Sequence, residues 1–314
     1  MAVIAHTDVG RVRRGGLRRK EALEGVLLVS PWILGLLLFT LGPLLASAYL
    51  SLTEYNVLRP PRFIGLQNYS KALFEDAIFW KSLERTTLYV VLSVPLGVVA
   101  SLGCALLLNR KLRLTNLFRT LFFLPSLTPI VASAILWLWI FQPEVGLANY
   151  LLNGIGIQGP RWLASYEWAI PALVVISLWG SVGGSRMIIF LAGLQGVPQE
   201  LYDASAIDGA GVWQKFLHVT LPMISPTMLF NLLLGVIGAF KVFAVAYVAT
   251  QGGPAYSTWF YVYNIWNQAF KYNQMGYASA LAWIFSAVIL VMTVIQLRWS
   301  RRWVHYEGDA EDRV

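Results

Sequence analysis

The chain has 314 residues, 57% hydrophobic and only 13% charged, with a mean hydropathy of +0.60. Soluble domains carry about 25% charged residues, so the composition excludes a soluble globular protein and indicates a polytopic membrane protein. The formal charge of +8 sits beside apolar segments, the pattern of inner membrane loops and not of a nucleic-acid surface.

Residues 1–22 read as a basic tail, expected to be disordered, with Arg11, Arg13, Arg14, Arg18, Arg19 and Lys20. An apolar run at about 25–50 follows, interrupted by Pro31 and Pro43. Ala46-Ser47-Ala48 resembles a cleavage site. The run nevertheless exceeds the roughly 7–15 apolar residues of a signal peptide and suits a full span of about 20. It is read as an uncleaved first helix. A polar, aromatic loop is expected over 51–85, and a second span over about 86–108. The short basic loop 109–116 carries Arg110, Lys111 and Arg113. Further spans are expected over about 119–141, 168–193, 224–250 and 277–297. Loops 142–167 and 251–276 and a polar island at 195–222 join them. The fold class is all-α: a polytopic membrane bundle of six transmembrane helices over 23–300, with the island as a cytoplasmic loop and 301–314 as a C-terminal tail.

Lysine and arginine set the orientation. With the N-terminus inside, fifteen basic residues of the tails and of the loops at 109–119 and 195–222 lie inside. Seven lie outside: Arg59, Arg62, Lys71, Lys81, Arg85, Arg161 and Lys271. This bias places both termini and the island in the cytoplasm.

The island separates two long apolar segments. Pro198 suits the first position of a helix, and Glu200 follows in the first turn, where negative charge favours the dipole. Gly209 and Gly211 permit a tight reversal, and Asp208 is placed to cap the next helix. Val212, Trp213, Phe216 and Leu217 recur at helical spacing as one apolar face, and Pro222 is expected to end the unit. The reading is two short helices joined at a glycine corner.

These residues carry a family resemblance. Asp203-Ala204-Ser205, Gly209 after three intervening residues, and Val219-x-Leu221-Pro222 after nine more resemble the EAA motif of ABC-importer permeases. The spacing fits throughout. Asp replaces Glu, Ser replaces the second Ala and Val replaces Ile. The resemblance implies that this loop is a coupling helix docking into a groove on a separate ATPase subunit, with Glu200, Asp203, Ala204, Ser205, Asp208, Gly209, Val219, Leu221 and Pro222 as coupling residues. Arg119 to Pro125 (RTLFFLP), Pro129, the aromatic run 137–141, and Gly146 with Asn149 look like carbohydrate-type permeases of this class. So do the phrases at 63–69 and 250–254, and Phe240-Lys241-Val242-Phe243, where Ala244 stands for a frequent Asp. The resemblance covers about 25–300. It is greatest to the first permease subunit of oligosaccharide and glycerol-phosphate importers.

The resemblance also implies partners: a second, non-identical permease, two ATPase subunits and an extracytoplasmic solute-binding protein that delivers a sugar or polyol. No G-x-x-x-x-G-K-[ST] occurs, so ATP and magnesium are expected on the partner ATPase, and no cofactor on this chain. His6, His218 and His305 form no spaced metal pair, and the lone Cys104 permits neither a disulfide framework nor a cysteine metal site. No nucleophile–base pair is identifiable. Gly183-Gly184-Ser185 reads as a close helix contact. Two cations fall inside spans, where charge is costly and usually faces a cavity or protein. Arg186 either serves the pathway or snorkels to the headgroups. Lys241 faces a pocket or a partner. Asn231 is placed to bond a neighbouring helix. The family's pocket positions fall on Ser185, Gly235, Ala239 and Val242, which are small or apolar and offer few groups for a sugar. The expected function is a permease subunit of an ATP-driven importer in a bacterial-type cell membrane. The alternatives are an ion-coupled secondary transporter and, third, a membrane-embedded enzyme.

Overall fold

The computed structural model describes residues 14–110 and 114–304. His6, Arg11, Arg13, Lys111, Arg113, His305 and Arg313 lie outside the described residues. Helix α1 (Arg14–Leu36) passes through a π-turn (Leu37–Leu41) into α2 (Gly42–Ser51). The expected disorder is thus corrected from Arg14 onward, where the backbone is already helical. The expected interruptions at Pro31 and Pro43 are corrected too. Gly42 N–H bonds back to Leu37 C=O, five residues earlier, and this wider turn lets the helix pass Pro43, which has no N–H to give.

Strand β1 (Thr53–Glu54) pairs antiparallel with β2 (Arg62–Phe63), Thr53 opposite Phe63. Helix α3 (Gln67–Ser70) follows, and the buried Asn68 amide donates to the Ser51 and Thr53 carbonyls, each at 2.9 Å, tying the pairing to the end of α2. The expected loop 51–85 is shorter than that. Asp76 accepts from the Ile78 and Phe79 N–H groups at 2.9 and 3.3 Å and so starts α4 (Ala77–Leu108) well before residue 86.

The third apolar segment is broken. Helix α5 (Thr115–Phe123) and a 3-10 turn (Leu124–Leu127) meet α6 (Ile130–Ile140) at 93°. Thr128 is extended ahead of Pro129, the conformation that a following proline demands. Helix α7 (Leu147–Gly154) follows. The fourth segment consists of α8 (Ala169–Ser181) and α9 (Ser185–Gln195), bent by 54°. The island holds α10 (Gln199–Ile207), α11 (Val212–Lys215), a π-turn (Phe216–Thr220) and α12 (Leu221–Met223). Then come α13 (Ser225–Phe240), α14 (Ala244–Ala249), α15 (Tyr261–Trp266) and α16 (Met275–Ser300). Among the described residues, four helices are long and apolar enough to cross a membrane: Lys20–Ser51, Ala77–Leu108, Ser225–Ala249 and Met275–Ser300. A count of six requires each bent pair to be one span.

Helix α4 is the centre of the bundle, packing against α8, α9, α13 and α15. Its sequence explains this. Ser93, Gly97, Ser101 and Ala105 recur every fourth residue, so they share one helical face, and all four are buried. Small residues let backbones approach where lipid gives no hydrophobic drive between helices. Aromatic packing closes the bundle around them, with Tyr261 stacked on Phe285 at 4.6 Å between ring centroids. Gly183 lies on the Phe122 backbone and Gly184 beside Ser126, the close contact expected of that glycine pair. Asn231 is buried, but its amide donates to Thr227 in its own helix, 3.1 Å away, and not to a neighbouring helix.

Candidate functional site

At one end of the bundle, 195–222 folds as a helical corner. Pro198 is extended (φ −59°, ψ 132°) and precedes α10 instead of opening it, a shift of one residue from expectation. Glu200 lies in the first turn and Gln199 Nε2 donates to Asp203 Oδ1 at 3.1 Å. Gly209 has φ +77°, as a tight reversal needs. Around it Gly209 N–H bonds Ala206 C=O at 3.1 Å and Ala210 N–H bonds Ser205 C=O at 2.9 Å, a Schellman ending that satisfies the last carbonyls of α10.

Three expectations here are corrected. Asp208 does not cap the second helix. It ends the first, and the Gln214 side chain instead accepts from Gly211 N–H at 2.8 Å, because Gly211 and not Asp208 adjoins α11. Pro222 does not end the unit. The helix runs through it to Met223, the preceding π-turn spacing the backbone so that the missing N–H leaves no break. The apolar face is also split. Phe216 packs inward on the core, whereas Ile207, Val212 and Trp213 are 88%, 84% and 68% exposed. The Tyr202 and Thr220 hydroxyls, 3.0 Å apart, tie α10 to the π-turn. A cleft of about 640 Å³ opens between them. Ala204, Ser205, Asp208, Gly209, Val219 and Pro222 line it, and Glu200, Asp203 and Leu221 do not.

A second site lies where the helices are interrupted. A cavity of about 600 Å³ is bounded by α4, by the end of α8 and by the breaks at 124–129 and 241–243. Irregular backbone at membrane depth is tolerated where it is buried in protein or faces a cavity, and here two breaks face one. Arg186, Ala239, Lys241 and Val242 line it, bringing together four of the six sequence candidates. Gly235 is not on the wall but lies beneath the Arg186 guanidinium, where a Cβ would come within 3.2 Å of Nη2. Ser185 stands apart from these four. It is exposed at the start of α9 and does not line the cavity, because the bend at 182–184 turns it outward.

Arg186 does not snorkel. Its guanidinium fills the space left by the missing side chains of Gly97 and Gly235, in the interior of the bundle. Lys241 sits at the end of α13, on the break, and is exposed to the cavity. Neither makes an ion pair among the described residues. The polar lining that sequence reasoning found wanting comes from elsewhere. Ser93 and Tyr89 project from α4, Ser177 and Ser181 from α8, and Ser126 and Thr128 from the break before α6. No local motif marks them. Only the fold brings them together.

Residues 93–305 match a family described as the binding-protein-dependent transport system inner membrane component. The chain belongs to that family. It is an ABC-importer permease subunit, a non-catalytic transport component, and the membrane-enzyme and secondary-transporter readings fall away. The permease is 40% identical over 297 residues to the probable ABC transporter permease protein YesP of Bacillus subtilis (strain 168), covering 93% of this chain and 95% of that one. It is 32% identical over 289 residues to the trehalose/maltose transport system permease protein MalF of Thermococcus litoralis, covering 91% and 96%. Among solved structures it resembles a chain of a bacterial ABC transporter involved in the import of the acidic polysaccharide alginate. That match has 25% identity and a TM-score of 0.78, and covers 91% of this chain and 97% of the other.

Proposed function

We propose that this permease pairs with a second, non-identical permease to form the path for a sugar or related polyol delivered by an extracytoplasmic binding protein. The corner at 195–222 acts as the coupling helix for two ATPase subunits, which carry the ATP and magnesium. The permease crosses the membrane six times, each bent pair counting once. Both termini lie in the cytoplasm, with 1–22 and 301–314 as tails around the membrane domain 23–300.

One observation carries this reading. Helix α9 carries Arg186 in its first turn, on the cavity wall, and runs into the corner; α13 follows the corner and ends at the cavity, with Ala239 in its last turn and Lys241 just beyond it. The two helices pack on each other, with Gly193 so near Thr227 that a Cβ would lie 2.6 Å from its Oγ1. An α-helix of 11 residues, as α9 is, spans about 16 Å. A tilt imposed at the corner is therefore delivered to both cations of the cavity by two paired rods. The EAA-type spacing and the exposed Ile207, Val212 and Trp213 support a partner at the corner. The carbohydrate class is supported by relatives named for trehalose/maltose and lactose transport.

The test is uptake by proteoliposomes holding both permeases and the ATPase pair, supplied with the copurifying binding protein. Uptake should cease with a hydrolysis-dead ATPase and persist when ion gradients are collapsed. Uptake that follows the gradient and ignores the ATPase would overturn the proposal.

A further inference from the structure

We infer that the solute passing through the cavity carries an anionic group on a hydroxyl-rich body, an acidic sugar in place of a neutral one, and that Arg186 is the group that receives the anion. The inference rests on the permease reading above and specifies its substrate class.

The cavity wall holds two cations, Arg186 and Lys241, and no aspartate or glutamate. A charge at membrane depth is tolerated where it faces a cavity or meets an opposite charge or backbone carbonyls, and an anion in the cavity would supply the opposite charge. Neither cation has an ion-pair partner among the described residues. A neutral sugar presents hydroxyls alone and adds no opposite charge to the two cations that this chain contributes. An anionic sugar compensates them while it is in transit. The guanidinium is suited to this role, because its planar fork accepts two oxygens of a carboxylate, phosphate or sulfonate side by side. It is also held in place, since Gly97 and Gly235 leave it a slot between α4 and α13.

A second, independent feature points to a bound polar body. Ser93 is 5% exposed, lines the cavity, and its Oγ has no hydrogen-bond partner among the described residues. Ser101, on one face with Ser93 but off the cavity, is likewise unpartnered among the described residues; of the two, only Ser93 lies on the wall, where an acceptor can be admitted. Ser177 and Ser181 line the same wall one turn apart and add two hydroxyls to it. Phe243 lines the opposite break, stacked on Tyr247 at 5.4 Å, and offers an apolar face to a sugar ring. The volume, about 600 Å³, is that of an ordinary small-molecule site.

The experiment measures binding to the assembled complex in lipid nanodiscs, without the binding protein, so that only the permease site reports. Three probes are titrated by calorimetry: a mannuronate trisaccharide, glucose 1-phosphate and maltotriose. At least one anionic probe should bind roughly tenfold more tightly than maltotriose, with an affinity that falls as salt rises. Which anion wins distinguishes carboxylate from phosphate. Arg186→Gln should reduce the preference to near parity, and Arg186→Lys should restore part of it, because a point charge replaces the fork. If Arg186→Gln does not assemble, Lys241→Gln, at the exposed edge of the cavity, should still weaken the anionic probe several-fold. Maltotriose binding as tightly as both anions would overturn the inference, as would an anionic preference unaltered by either substitution. Such a result, in a complex that still shows binding-protein-stimulated ATP hydrolysis, strikes the substrate class alone. A wild-type complex without stimulated hydrolysis would overturn the permease reading beneath it.

Discussion

Gly183 has no room for a side chain, because a Cβ there would run into the carbonyl of Phe122 on α5. The obstruction is backbone and cannot swing aside, so Gly183→Ala must spread α5 from the α8–α9 bend. Overpacking of this kind costs about 1–3 kcal/mol. We expect a lower thermal unfolding midpoint in detergent, and an unchanged midpoint would refute the contact. Gly97→Ala is a different case. The atom its Cβ meets is Nη1 of Arg186, the far end of a flexible side chain. The helix should tolerate the methyl group, and the guanidinium should be driven out of its slot. We expect normal assembly with binding of the mannuronate probe weakened several-fold, and calorimetry beside a thermal melt separates the two effects. Substitution of one small residue thus tests packing in one place and side-chain position in the other.

At the scale of elements, the corner depends on a single left-handed residue. Gly209 stands at φ +77° with open space where a Cβ would go, so strain and not collision is the penalty for a side chain. A β-branched residue in that region costs about 1–3 kcal/mol. We expect Gly209→Val to leave membrane insertion intact while lowering ATPase association or stimulated hydrolysis. Full transport with normal assembly in that variant would remove the corner from the coupling path. The breaks in the helices act together in the same way. The break before α6 and the 241–243 step each end a helix on the wall of the same cavity.

For the whole molecule, the charge bias across the loops predicts which ends face which compartment. Ser70 and Gln214 are both exposed and lie in segments assigned to opposite sides. In a Cys104→Ala background, Ser70→Cys should react with an impermeant maleimide added outside intact cells. Gln214→Cys should react only after the membrane is opened. Reaction of both from outside would rule out the six-span arrangement.

The sequence alone determined the helical membrane class, the approximate place of the apolar segments and the glycine corner. Each follows from information carried within one segment: the length of an apolar run, the conformational freedom of Gly209, or the spacing from Asp203 to Pro222. Arg186 and Lys241 were legible too, because charge is rare and costly in such runs. Of the positions that the family resemblance supplied, Ala239 and Val242 lie on the cavity wall, while Ser185 follows the bend at 182–184 and lies off it. Tertiary structure decided the rest. Ser93, Ser126 and Ser177 are unremarked residues in three separate segments, and they become one wall only when α4, α8 and the broken third segment are packed together. The direction of Arg186 was settled the same way. A long flexible side chain goes where space exists, and that space was made by Gly97 and Gly235, distant in sequence and on two other helices.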